Sequence, residues 1–155
     1  MKEVYLFDWG DTLMVDIPGV DGKMCDWNTV EAVDGAFETL EHLSRTATIY
    51  IASAAAESSE MDIQKALDRV ALSQFISGYF CKANLGFGKG DPEFLPAIIE
   101  KLDQPASYIT MVGDSLEKDV LPAVAAGIRS VWFSNASMDD APENIRVIGS
   151  LRELC

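Results

Sequence analysis

The chain has 155 residues, of which 48% are hydrophobic and 24% are charged, a composition typical of a soluble globular domain. Its 25 acidic and 12 basic residues give a net charge of −13, which repels nucleic acid and any anionic substrate whose charge no metal ion offsets. No apolar run approaches the roughly 20 residues that cross a bilayer, and the first residues carry no secretion signal. Three cysteines without metal-ligand spacing indicate reduced thiols, so we expect a cytoplasmic protein. From the charge and the lack of long apolar runs, we expect no nucleic-acid or membrane partner.

The first predicted element is a buried strand that ends in acidic residues. The apolar run at residues 4–7 leads directly into Asp8, and Gly10, Asp11 and Thr12 follow at once. A carboxylate at the end of a buried strand costs free energy unless a cation or hydrogen-bond donors satisfy it, which makes Asp8 the first candidate site residue. Taken alone, the stretch fits an ordinary strand-to-turn junction equally well, because Asp and Gly are common there.

Further apolar patterns alternate between helical and strand periodicity along the chain. Residues 13–28 show no period and contain Pro18, Gly19 and Gly22, which predicts a long loop. Helices are predicted at residues 29–43, from Ser58 or Ser59 to residue 70, and at residues 91–102 and 119–126; strands are predicted at residues 47–52, 79–81, 108–112, 130–133 and 145–148. This alternation predicts an α/β fold, a three-layer α/β/α sandwich with a Rossmann-like parallel sheet, as one domain over residues 1–155.

Chemistry-bearing residues follow several of the predicted strands. Because the carboxyl ends of parallel strands meet at one edge of a sheet, we expect four groups of residues to converge there. They are Asp8 with Asp11 and Thr12, then Ser53, then Lys89, and finally Asp114 with Asp119. Clustered carboxylates repel one another unless a hard cation such as Mg²⁺ binds between them. A phosphoryl group could then be held by the metal, a lysine, a hydroxyl and backbone amides while a carboxylate attacks phosphorus.

These segments resemble the motifs of the haloacid dehalogenase-like superfamily of Mg²⁺-dependent phosphohydrolases, and the resemblance covers essentially the whole chain. FDWGDTL at residues 7–13 is similar to the first motif, DxDGT, and IYIAS at residues 49–53 is similar to the second. FGKGDPEFL at residues 87–95 is similar to the third motif, and MVGDSLEKDVLPAVAAGI at residues 111–128 is similar to the fourth. The first and fourth motifs are specific together, whereas the serine and the lysine are weak signals alone.

The resemblance implies a role for each candidate residue. Asp8 would be the nucleophile and a metal ligand; the Gly10 carbonyl and Asp114 would complete the protein ligands of Mg²⁺, and Asp119 would support the metal site. Ser53 and Lys89 would hold the phosphoryl group, and Thr12 would help to position the first loop. The implied partner is a small phosphorylated substrate or an exposed phosphate on a larger molecule.

The first motif departs from the family pattern at one position. The family's phosphatases carry a second Asp two residues after the nucleophile as general acid and base, but this chain has Gly10 there and Asp11 one residue later. We expect Asp11 or a metal-ordered water to move the proton. An alternative hypothesis is a catalytically weak or inactive relative that binds metal or phosphate as a regulatory protein. Phosphoryl transfer between metabolites, or phosphonate cleavage, is a third possibility.

The intervals between the motifs predict that the core has no cap domain. About 20 residues separate Thr12 from the helix predicted around Val30, too few for a domain-sized insertion. A helix and a short strand fill the interval from Ser53 to Lys89. The loop at residues 13–28 therefore stands in place of a cap. Its Met24 and Trp27 either form an apolar lid or dimer contact, or pack onto the domain edge.

Overall fold

A computed structural model of the chain describes residues 3–15, 22, 24–53, 59–86, 88, 91–134 and 145–155. Its strands form one six-stranded parallel sheet in the order β3-β2-β1-β4-β5-β6. The strands are β1 (Glu3–Phe7), β2 (Ala47–Ala52), β3 (Gly78–Phe80), β4 (Ile109–Gly113), β5 (Arg129–Phe133) and β6 (Ile145–Ile148). The predicted α/β fold with a Rossmann-like parallel sheet is confirmed.

Helices cover both faces of this sheet. They are α1 (Ala36–Ser44), α2 (Glu60–Asp68), α3 (Lys82–Leu85), α4 (Phe94–Leu102) and α5 (Leu121–Ala125). One apolar cluster joins α1, α2 and the C-terminal 3₁₀ turn at Leu151–Leu154 to Phe7 of β1. A second cluster joins α4 and α5 to Val4 and Leu6 of the same strand. Alternate residues of β1 therefore face opposite layers, as expected for a strand buried on both faces.

The central strands β1 and β4 end side by side. Every residue of β4 is buried, and Phe7 of β1 pairs with Val112 of β4 and with Ile51 of β2. The backbone N–H of Asp8 extends this ladder by donating to the Val112 carbonyl at 2.9 Å. The first residues after both strands are thus placed together by sheet hydrogen bonds.

The predicted helix at residues 29–43 begins only at Ala36. Residues before it form an extended segment, because the N–H of Val33 donates to the Leu13 carbonyl and the N–H of Val15 donates to the Glu31 carbonyl, both at 2.8 Å. Gly35 has a φ of 84°, a left-handed conformation that ends this segment and precedes the helix. The helical assignment of residues 29–35 was therefore wrong, although Val33 still packs against the core.

Two other helix starts differ from the sequence-based expectation. The helix predicted from residue 91 begins at Phe94, because the Asp91 side chain accepts the Glu93 N–H at 2.9 Å and holds a turn there. The helix predicted from residue 119 is preceded by a π-helical turn at Leu116–Val120. Ser59, in contrast, caps α2 as predicted, in a capping box with Asp62.

Residues 24–28 of the long predicted loop form a segment that we call the strap. Met24 and Trp27 are buried in the same apolar cluster as Trp9 and Met14, so they pack onto the domain edge, the second of the two predicted alternatives. The guanidinium of Arg69, just after α2, donates to the Cys25, Trp27 and Asn28 carbonyls at 3.4, 2.5 and 3.2 Å.

The described part of the chain contains no helix long and apolar enough to span a bilayer.

Candidate active site

Three carboxylates meet where β1 and β4 end. Asp8 follows β1, Asp114 follows β4, and Asp119 lies in the π-helical turn. Each offers an oxygen atom that lies within 4.8 Å of the other two. Asp8 is 8% exposed and Asp119 is 2% exposed, whereas Asp114 is partly open to solvent. The structure thus brings together three of the four predicted metal ligands.

The position of Asp119 depends on a glycine and on a serine cap. Ser115 donates its backbone N–H to Asp119 Oδ2 at 3.2 Å, and its hydroxyl oxygen accepts the Lys118 N–H at 3.2 Å. A Cβ atom added to Gly113 would lie 2.3 Å from Asp119 Oδ2, closer than non-bonded atoms approach. Only glycine at residue 113 therefore leaves room for this carboxylate beside the end of β4.

Thr12 lies between two of the carboxylates. Its fully buried Oγ1 is 3.2 Å from Asp8 Oδ2 and 3.4 Å from Asp114 Oδ1. Because a hydroxyl has one proton, it donates to one carboxylate at a time. The contact with Asp114 links the first loop to the end of β4, and the role of Thr12 in positioning that loop stays a prediction.

Trp132 at the end of β5 also holds the site. Its indole N–H donates to the backbone carbonyl of Asp114 at 3.1 Å. The sequence motifs and strand ends assigned Trp132 no role in the site, so this contact was missed. Strand pairing places Trp132 beside Gly113. A tryptophan near the end of a predicted strand was the sequence feature that could have indicated this contact.

The carboxylates perturb one another strongly. Burial, followed by a hydrogen bond with Asp8 and the charges of Asp8 and Asp119, raises the pKa of Asp114 from 3.8 to about 7. A proton shared between close carboxylates performs the same neutralising task as a cation. Oxygen-only donors at this spacing suit a hard divalent ion, so the residues fit the predicted Mg²⁺.

The residues of the first loop adopt an unusual backbone. Gly10 pairs with Met14 in an isolated bridge, and the N–H of Asp11 donates to the Met14 carbonyl at 2.6 Å. Asp11 is exposed and has a φ of 59°, a left-handed conformation that Asp tolerates and Gly favours. With Thr12 aligned to the motif threonine, Asp11 takes the glycine position of DxDGT. The backbone of the turn can therefore form although Gly and Asp stand in the reverse of the usual order.

Ser53 and Lys89 are the two residues predicted to bind the phosphoryl group. Ser53 is buried directly after β2, and its N–H donates to the Phe80 carbonyl at 2.9 Å. Since β2 neighbours β1, Ser53 lies at the same sheet edge as Asp8. Lys89 lies outside the described residues.

Comparisons with known proteins agree on the family. Residues 14–127 match the model of the haloacid dehalogenase-like hydrolase family. Ribulose-1,5-bisphosphate 5-phosphatase of Halopiger xanaduensis is 30% identical over 112 residues, which cover 72% of this chain and 46% of that protein. The putative HAD-hydrolase YfnB of Bacillus subtilis is 26% identical over 116 residues, covering 74% of this chain and 48% of that protein.

Solved structures extend the likeness in fold. A crystal structure of YfnB bound to magnesium has a TM-score of 0.77 at 19% identity, covering 99% of this chain and 96% of that chain. An uncharacterized protein from Listeria monocytogenes serotype 4b has a TM-score of 0.84 at 20% identity, covering 98% of this chain and 94% of that chain. The chain spans less than half the length of the curated relatives it matches. From the family match, this chain belongs to the haloacid dehalogenase-like hydrolases.

Proposed function

We propose that the chain is a Mg²⁺-dependent phosphohydrolase that cleaves phosphate monoesters through an aspartyl-phosphate on Asp8. The observation that carries the proposal is the convergence of Asp8, Asp114 and Asp119 within 4.8 Å at the end of the two central strands. A phosphatase among the relatives supports the reaction class, and the magnesium in the YfnB structure supports the cofactor.

The metal would be held by oxygen atoms of four residues. We assign Asp8 and Asp114 as carboxylate ligands, the Gly10 carbonyl as a further ligand, and Asp119 as the carboxylate that completes the acidic set. When bound, Mg²⁺ supplies positive charge that neutralises these carboxylates and draws electron density from the phosphoryl oxygens.

The residues of the chain carry out the two displacements. The Asp8 carboxylate attacks phosphorus, and the bond from phosphorus to the ester oxygen breaks with its electron pair on the leaving alkoxide. Asp11 or an ordered water donates a proton to that oxygen. The same group, now deprotonated, takes a proton from a water molecule as the water oxygen attacks phosphorus. The bond from phosphorus to the Asp8 oxygen breaks with its electron pair on the carboxylate, which releases inorganic phosphate and restores Asp8. Ser53 and Lys89 hold the phosphoryl oxygens during both steps.

We also propose that no cap domain interrupts this core and that the site accepts substrates from an open edge. Between β1 and α1, the strap lies against the domain through Arg69. A small phosphorylated metabolite, or a phosphate exposed on a larger molecule, would reach Asp8 without the opening of a cap.

The experiment is the hydrolysis of p-nitrophenyl phosphate with and without Mg²⁺, followed by a panel of phosphorylated metabolites. We expect Mg²⁺-dependent turnover, lowered at least about a thousandfold by Asp8→Asn, because this change removes the attacking oxyanion. Acid quenching should trap a phosphoryl adduct on Asp8, detected by mass spectrometry. Equal rates for the wild type and Asp8→Asn would contradict the proposal, and Mg²⁺ binding without turnover across the panel would favour a binding or regulatory protein.

A further inference from the structure

A cleft of about 420 Å³ lies between α4 and the segment formed by the π-helical turn and α5. Its described lining consists of two acidic and seven apolar residues. The lining residues are Asp91, Pro92, Leu95, Pro96, Glu117, Leu121, Pro122, Ala125 and Ala126. We call this cleft the proline groove. None of its described residues belongs to the three-carboxylate cluster.

The groove presents apolar surface to solvent. Leu121 is 41% exposed although it lines a concavity, and Pro96 of α4 is exposed as well. Contiguous exposed apolar surface on a soluble domain marks interaction sites more often than isolated exposed side chains do. Val124 provides the comparison, since it lies on the same short helix and is 42% exposed but does not line the groove.

Charge selects the class of occupant. Asp91 and Glu117 are both exposed, and none of the lining residues that the structure describes is basic. A second copy of this chain would bring these carboxylates together within a pair of molecules that each carry −13. Nucleic acid and anionic lipid surfaces are repelled for the same reason. The complementary occupant carries basic groups beside apolar ones.

The groove chemistry also favours a polypeptide over a small molecule. Small-molecule sites combine an apolar lining with a few placed polar groups that fix the ligand's orientation. The prolines at residues 92, 96 and 122 have no backbone N–H to donate, and the charged groups among the described lining residues are two exposed carboxylates. Such a surface can bury the apolar side chains of an amphipathic segment while the basic side chains of that segment pair with Asp91 and Glu117.

We propose that the proline groove docks a polypeptide segment in which leucine-like side chains are flanked by lysine or arginine. The groove adjoins the candidate site along the chain, because Glu117 lies between Asp114 and Asp119. The proposal stands whether or not Asp8 forms an aspartyl-phosphate.

The test measures binding of a fluorescein-labelled peptide of alternating leucine and lysine pairs to the full chain by fluorescence anisotropy. We expect saturable binding that Leu121→Ser weakens about tenfold or more, because a buried leucine contact is lost. The matched variant Val124→Ser should weaken it less than about twofold, since that side chain lies outside the groove. Asp91→Asn and Glu117→Gln should each weaken it about two- to fivefold, and Glu100→Gln, on α4 outside the groove, should not.

Thermal denaturation of each variant shows whether it is folded, so that a loss of peptide binding is not caused by unfolding. Equal losses in Leu121→Ser and Val124→Ser, or equal binding of a peptide with serine in place of leucine, would overturn the proposal in favour of bulk charge attraction. No saturable binding of the leucine–lysine peptide would overturn it as well. A wild-type dimer that Leu121→Ser dissociates, seen by analytical ultracentrifugation, would show that a second copy is the occupant instead.

Discussion

The two segments that bring carboxylates to the site reach the same sheet edge by different means. The first loop, residues 8–14, is held mainly by backbone hydrogen bonds such as Asp11 N–H to the Met14 carbonyl. The second turn, residues 113–120, also has backbone hydrogen bonds, such as Asp119 N–H to the Ser115 carbonyl at 3.0 Å. Side chains add to them, because Ser115 and Asp119 cap the turn and Trp132 donates to the Asp114 carbonyl. A loop held mainly by backbone bonds tolerates an exchange of residue types that keeps its φ and ψ angles, whereas a turn that also depends on particular side chains tolerates fewer exchanges.

This difference explains where the first motif departs from its family. Gly10 and Asp11 stand in the reverse of the usual order, yet the turn forms because Asp tolerates the left-handed φ of 59°. The departure therefore bears on proton transfer rather than on the fold.

Asp11→Asn gives the largest expected effect in this comparison. Asn also tolerates the left-handed conformation, so the variant removes the ionisable group and keeps the turn. If Asp11 moves the proton, kcat should fall about 100- to 10,000-fold for an alkyl phosphate, and less for p-nitrophenyl phosphate, whose leaving group needs no protonation. Asp11→Gly is the control for conformation and should match Asp11→Asn. Unchanged rates in both variants would leave a metal-ordered water as the proton donor.

Gly113→Ala tests the second turn. The added Cβ would overlap Asp119 Oδ2, so that carboxylate must move. We expect Mg²⁺ affinity to fall about 10- to 100-fold and the free energy of unfolding to fall by about 1–3 kcal/mol, measured by isothermal titration calorimetry and by urea denaturation. In Gly88→Ala the added Cβ would lie 3.8 Å from Lys82, and its stability should change by less than about 0.5 kcal/mol. Wild-type Mg²⁺ affinity in Gly113→Ala would show that the turn is more adaptable than its contacts indicate.

The sequence predicted this site to the extent that local patterns determine it. Apolar runs ending in Asp8 and Asp114 placed both carboxylates at strand ends, and parallel topology placed the ends at one edge. The roles of Gly113 and Trp132 depend on contacts between distant parts of the chain, which periodicity does not contain. The start of α1 was mispredicted for the same reason, because the spacing of Val30 and Val33 fits a helix but long-range pairing makes their segment extended.

The dependence of stability on pH and Mg²⁺ tests both segments together. The pKa of Asp114 is raised to about 7 in the folded chain, against 3.8 as its reference, so the folded state holds more protons between these values. Without metal, the melting temperature should therefore decrease as the pH rises from about 4 to about 7. Mg²⁺ at ten times its Kd should restore about 1.4 kcal/mol, or about 3–6 °C, above pH 7.

Protons and Mg²⁺ compete for the same carboxylates, so the gain in melting temperature from Mg²⁺ should shrink as the pH falls. Differential scanning fluorimetry across this pH range measures both effects. Asp114→Asn is the control, because it cannot ionise and should remove most of the pH dependence. A Mg²⁺ effect that is constant from pH 5 to 8 would contradict the assignment.

Trp132→Phe gives the smallest expected effect and separates the two segments most cleanly. Phenylalanine keeps an aromatic ring on β5 but loses the N–H that donates to the Asp114 carbonyl. One hydrogen bond contributes about 1 kcal/mol, so Mg²⁺ affinity should fall about fivefold. Trp27→Phe is the matched control, since its indole N–H donates at the same 3.1 Å to the Gly22 carbonyl beside the strap. Equal Mg²⁺ affinities for the two variants would mean that the Asp114 backbone is fixed by the β4 ladder and not by Trp132.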